Sequence, residues 1–143
     1  MSGTDFLTRS DPELVAALLA GLRVDAQVQA ALGQPARLFD AETRAPVFPY
    51  ALLERHESRA ADRVAVRRLE HTIQLGIYSR HGGLEEAKAL LGVLRGVVER
   101  LALNLATQRV LLIVPTYCDV LRARNQTTWR GLLHIRVHTE ALT

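Results

Sequence analysis

The sequence predicts an α+β fold: a mostly antiparallel four- to five-stranded sheet with two main helices packed on one face, in the order α(α)-β-β-α-β-β. Three observations carry this. Leu69, His71, Ile73, Leu75 and Ile77 alternate with Glu70, Thr72, Gln74 and Tyr78, the mark of an antiparallel strand with one buried and one wet face. Trp129, Gly131, Leu133, Ile135 and Val137 alternate likewise with Arg130, Leu132, His134, Arg136 and His138. Between them Leu84, Ala87, Leu91, Leu94, Val98, Leu101 and Leu105 recur at three- and four-residue steps, the spacing of one helical face.

The elements follow in order. Residues 1–10 carry no periodic signal and are expected to be flexible, ahead of a single domain spanning 1–143. Ser10-Asp11-Pro12-Glu13 reads as a helix start, with Asp11 as N-cap and Pro12 at the first helical position. Leu14, Val15, Leu18, Leu19 and Leu22 form its apolar stripe. Asp25 recaps a short helix through Val28, Ala31 and Leu32, which Gly33 and Pro35 stop. Residues 34–47 read as a loop with a short strand at Arg37-Leu38-Phe39.

Tyr50 to Glu57 reads as a loosely alternating strand behind Pro49, whose missing N–H is tolerated at a strand start. Ser58 to Val66 reads as a long hairpin loop, and Arg68 to Arg80 as the next strand. Gly82-Gly83 turns the chain into the second main helix, with Leu90 and Val97 widening its stripe. Glu85 and Glu86 in its first turn favour the helix dipole, and Arg95 and Glu99 are spaced to pair. The stripe is broad enough for packing on a sheet, in preference to a coiled coil. Val110 to Val114 is a continuous apolar run, read as a central strand, with Pro115 marking an edge, bulge or kink. Arg122 to Gln126 forms the tip of the final hairpin.

Composition narrows the function classes. The chain has 143 residues, 48% hydrophobic and 23% charged, enough to bury a real core. No apolar run reaches the roughly 18–20 residues of a membrane span, and no secretory signal or membrane partner is expected. The lone Cys118 excludes an internal disulfide and fits a reducing cytoplasm. The net charge of +3 is split, with six arginines against eight acids in residues 1–60 and twelve bases against seven acids beyond. All basic residues are arginine except Lys88, as suits protein interfaces.

No chemistry is legible. His134 and His138 sit four residues apart, but on a strand that separates them by about 13 Å, too far for one zinc. Gly82-Gly83 is followed by glutamates and lacks the Lys-Ser/Thr of a phosphate loop. Asp119 beside Cys118 disfavours a thiolate. Glu54 with Glu57, and Glu85 with Glu86, read as solvated pairs. The expectation is therefore no catalytic residue, no cofactor and no metal. What remains is arginine: Arg55, Arg59, Arg63, Arg67 and Arg68 around the first hairpin, and Arg122 and Arg124 at the second tip. These suit either plain solubility or docking against acidic partner surfaces.

The chain resembles a known family on particular residues. Phe48-Pro49-Tyr50-Ala51-Leu52-Leu53-Glu54, then His71-Thr72-Ile73-Gln74-Leu75-Gly76-Ile77-Tyr78-Ser79-Arg80, are similar to the tail-completion, or tail terminator, proteins of long-tailed phages and gene transfer agents. Glu85-Glu86-Ala87-Lys88-Ala89-Leu90 and the closing Gly131 to Glu140 continue the likeness, while Arg37 to Pro46 is longer and more charged than the pattern. The resemblance implies a structural, non-enzymatic virion protein of the tail or neck, assembled in the bacterial cytoplasm. It implies a ring, a hexamer, that caps the tail tube, ends its polymerisation and joins it to the head connector or stopper. DNA would be a passing cargo. The alternative is a small basic DNA-binding or head-completion factor, which would need a salt-steep affinity for DNA.

Overall fold

The computed structural model describes residues 3–61 and 67–142. Its helices are α1 (Gly3–Arg23), α2 (Ala26–Leu32) and α3 (Gly83–Arg100). Its strands are β1 (Leu38–Phe39), β2 (Tyr50–Ala60), β3 (Arg68–Ser79), β4 (Gln108–Arg122) and β5 (Trp129–Ala141). They form one sheet in the order β1-β2-β3-β5-β4, antiparallel except where β1 joins β2 in parallel.

The sheet buries the face its alternation predicts. Leu69, Ile73, Leu75 and Ile77 of β3 and Leu133, Ile135 and Val137 of β5 are fully buried. Against them pack Leu14, Leu18, Leu19 and Leu22 of α1, Val28 and Leu32 of α2, and Leu90, Leu91, Leu94, Val97 and Val98 of α3. Each such side chain contributes about 1.5–3 kcal/mol by leaving water. The opposite face of the sheet carries no helix among the described residues.

Local signals explain the ends of several elements. Asp25 caps α2 by accepting hydrogen bonds from the Gln27 and Val28 amides at 2.8 and 3.1 Å. Gly83 opens α3 at φ 65°, a left-handed backbone that favours glycine. Ser79 at the end of β3 is buried and donates to Glu86 at 2.6 Å, which ties the β3–α3 turn down.

Four expectations need correction. Asp11 does not cap α1, which begins at Gly3 and runs through Pro12. The proline removes one helical hydrogen bond, but the leucine stripe beyond it is held by packing on the sheet. The first hairpin loop is shorter than expected: Arg55 and Arg59 lie in β2, Arg68 opens β3, and only Arg67 among the described arginines lies in the connection. Arg63 and the rest of residues 62–66 lie outside the described residues. Leu101 and Leu105 are not helical, because α3 ends at Arg100 and the chain turns extended at Leu101. Finally, Val110 to Val114 belongs to β4, an edge strand and not a central one.

Why β2 alternates only loosely is now plain. A bulge between Leu53 and Arg55 inserts Glu54 into the pairing with β3. Glu54 faces the helix-free side beside Gln74 and Tyr78, and the bulge keeps Arg55 on that side too, which puts His56 and Ser58 on the helix-covered face with His71.

Candidate functional site: the exposed edge and sheet face

The most unusual surface is β4. It is 15 residues long and, among the described residues, pairs only with β5, so that its other side is open. Leu111, Leu112 and Tyr117 are 47%, 43% and 48% exposed. Two register shifts, between Val110 and Leu112 and between Pro115 and Tyr117, place Leu111 and Thr116 in bulges. Pro115 sits at the second, where an edge tolerates its missing donor. On the helix side a groove of about 490 Å³ separates β4 from α3, lined by Lys88, Leu91, Arg95, Cys118 and Val120 among others. An exposed, long, apolar edge invites another chain to pair or pack there. The other sheet edge is the two-residue β1 over Ala51 and Leu52 and, beyond it, the more polar stretch of β2.

The helix-free face carries a polar cluster next to apolar β4. Glu54 accepts hydrogen bonds from Arg130 at 2.6 Å, from Gln74 at 3.0 Å and from the Tyr78 hydroxyl. Burial opposes the charge on Glu54, but the bonds from Arg130, Tyr78 and Gln74 outweigh it and hold the carboxyl below its ordinary range. Burial, and then the Glu54 carboxylate, push Tyr78 up to about 12. Gly76 is needed beneath this cluster, since a Cβ there would stand 2.5 Å from the Glu54 carboxyl carbon. The His134 ring lies tilted against Tyr117 with centres 4.9 Å apart, and His134 and His138 both lie on β5 facing away from the helices.

The arginines are not brought together. Arg59, Arg67 and Arg68 lie at the hairpin end of β2 and β3, where Arg59 pairs Glu70 at 3.3 Å and Arg68 pairs Glu140 at 3.6 Å, while Arg55 lies mid-strand opposite Gln74. Arg122 and Arg124 lie at the opposite end of the sheet, with the Arg122 guanidinium 4.6 Å from the Trp129 ring centre. The 12 residues of β3 separate the two ends by roughly 35 Å.

A third feature has no sequence signal at all. Asp11 of α1, His56 of β2 and His71 of β3 meet under the helical layer. His56 Nε2 stands 2.9 Å from His71 Nδ1, and His71 Nδ1 stands 3.6 Å from Asp11 Oδ1. Burial, and next the neighbouring His56, push His71 down to about 4, so its ring is neutral at physiological pH. Sequence reading weighed only the evenly spaced His134 and His138. Residues 11, 56 and 71 share no spacing that could have flagged them.

The sequence profile of the family described as "Tail completion protein gp17" matches residues 16–140. No curated protein matches the chain. Among solved structures, a chain described as "Virion of native gene transfer agent (GTA) particle" has a TM-score of 0.79 at 22% identity. The match covers 90% of this chain and 96% of that one, and at that identity it speaks for the fold. The profile match runs from the first helix through nearly all of β5, so it takes in the core, the exposed edge and both hairpins. The chain belongs to the tail completion protein gp17 family and is a structural protein of a virion tail.

Proposed function

We propose that this protein forms a hexameric ring on the end of a tail tube, ends the tube's polymerisation and joins it to the head connector or stopper, with DNA passing through the lumen. The observation that carries this reading is the exposed apolar edge strand β4. A domain with a sound core has no internal use for Leu111, Leu112 and Tyr117 at the surface. A second copy that buries them against a different face of itself makes a head-to-tail contact, which closes into a ring when the rotation allows. A ring that binds the tube end without offering the tube's own growing surface stops elongation.

The separation of the arginines fits such a ring. Arg59, Arg67 and Arg68 lie at one end of the sheet, with Arg63 between them in sequence, and Arg122 and Arg124 at the other, while Arg55 lies partway along β2. A ring between tube and connector needs two such ends, each meeting acidic groups on a different neighbour. The likeness to a chain of a gene transfer agent particle favours that class of particle as the setting.

The test is native mass spectrometry of the purified chain, alone and with tail tube protein. The wild type is expected as closed multimers, and the double variant Leu111→Lys with Leu112→Lys as monomers that remain folded. Assembly of that variant to the same multimers would remove β4 from the ring interface. Wild-type monomers that bind DNA with a steep salt dependence would replace the ring reading with a DNA-binding one.

A further inference from the structure

The cluster of Asp11, His56 and His71 is a set of metal donors, not only a hydrogen-bonded pair. One ligand atom from each lies within 4.8 Å of the other two. The 2.9 and 3.6 Å separations already measured between them bracket about 3.3 Å, the distance between neighbouring ligands of a tetrahedral zinc with bonds near 2.0 Å. The donors come from three elements with rigid backbones, α1, β2 and β3.

The surroundings orient them as metal ligands are oriented. His71 Nε2 stands 3.2 Å from Thr139 Oγ1, so its proton is directed there and the Nδ1 lone pair faces the cluster. Ser58 Oγ donates to Asp11 Oδ2 at 2.7 Å, leaving Oδ1 turned inward. Asp11 Oδ1 itself is buried, although the side chain as a whole is 37% exposed, and has no hydrogen-bond partner among the described residues. That is a costly state for a carboxylate oxygen unless a cation satisfies it.

We propose that Asp11, His56 and His71 bind one divalent ion of the zinc class, with water in the fourth position, and that the ion clasps α1 to the sheet. Two imidazoles and one carboxylate suit zinc and its neighbours and disfavour magnesium or calcium, which need more oxygen ligands. On binding, the His56 proton that now bridges the two rings moves to His56 Nδ1, so both rings stay neutral and no net charge is lost. The role is structural: the clasp adds to the bonds that already tie this stretch of α1 to the sheet, from Gln108 Nε2 to the Ser10 carbonyl and from Thr107 to the Glu13 carboxylate.

The experiment uses the full chain stripped with a chelator and then titrated with Zn²⁺ by calorimetry and thermal melting. One ion per chain is expected, with a rise of several degrees in the melting midpoint at saturation and none with Mg²⁺ or Ca²⁺. Co²⁺ should give the visible absorption of a tetrahedral nitrogen–oxygen site. His56→Ala and Asp11→Asn should each weaken Zn²⁺ binding at least about tenfold and erase the Co²⁺ bands. His81→Ala, in the exposed β3–α3 turn, should change neither. Circular dichroism of the two variants guards against misfolding, and Asp11→Asn preserves shape. Absence of stoichiometric binding, or uptake unchanged in both variants, would overturn the proposal and leave the cluster a hydrogen-bonded histidine pair.

Discussion

β5 and β4 are neighbours in one sheet and similar in length, yet they obey different rules. In β5 every second residue is buried, from Gly131 to Thr139, and the residues between reach solvent. In β4 the apolar residues run together and reach solvent on both faces, with only Gln108 fully buried. Alternation records what the chain covers by itself. An unbroken apolar run in a strand that its own chain leaves at the edge records what something else must cover.

The sharpest way to break this comparison is substitution at matched leucines. Leu94 on α3 is 1% exposed and contacts the buried face of the sheet. Leu94→Ala should cost about 2–5 kcal/mol in urea unfolding of the isolated subunit. Leu112→Ala on β4 should cost about 0.5 kcal/mol or less in the same measurement. Equal losses would mean that β4 is stabilising its own domain, and its exposed leucines would then say nothing about assembly.

The next effect sharpens the contrast on the helix-free face, where Glu54 ties β2 to β3 and β5. Its carboxyl titrates below the ordinary range when folded, so the unfolded chain binds a proton there first as pH falls. The stabilisation is therefore present above the unfolded value near 4.5 and lost as pH drops below it. Glu54→Gln should reduce stability by about 1–2 kcal/mol at neutral pH, through the loss of a charge-assisted bond to a half-buried Arg130. It should also flatten the acid limb of a pH–stability curve below about 4.5, where the unfolded carboxyl takes up its proton and the folded one does not. An unchanged acid limb would place the acid sensitivity in other carboxylates.

How much of this was legible in the sequence depends on how far each signal reaches. Local signals sufficed for α2, whose Asp25 cap and Gly33 stop lie within the element. They sufficed for β3 and β5, where period-two alternation is a property of the strand alone. They failed at α1, because a proline near a helix start is common and nothing local says that the helix begins upstream of it, at Gly3. They failed at β2, because one inserted residue, Glu54, shifts the alternation by a face. The edge position of β4 depends on strand order, which periodicity does not contain. The meeting of Asp11, His56 and His71 depends on that bulge, on α1 extending through Asp11, and on the β2–β3 pairing together.

The effect on stability is also small at the arginines, and there the two ends of the sheet can be told apart. Arg59→Ser, Arg63→Ser, Arg67→Ser and Arg68→Ser together remove the exposed pairs with Glu70 and Glu140. Exposed pairs of this kind contribute little, so the quadruple variant should lose about 1 kcal/mol or less. Arg122→Ser with Arg124→Ser removes a cation–π contact on Trp129 and should lose about as little. Neither change touches Leu111, Leu112 or Tyr117, the exposed apolar residues of β4, so ring formation should persist in both. Assembly should separate them, because the ends are roughly 35 Å apart and a ring between two partners presents a different end to each. One variant should give tails of uncontrolled length, from failure to seat on the tube. The other should give tails of normal length that lack heads. Electron microscopy of particles assembled with each variant reads this directly. Normal particles from both would reduce these arginines to a solvated fringe and leave the whole of docking to the apolar edge. The same defect from both would mean that the two ends meet one partner, and the ring would then lie along the tube axis differently from the arrangement proposed here.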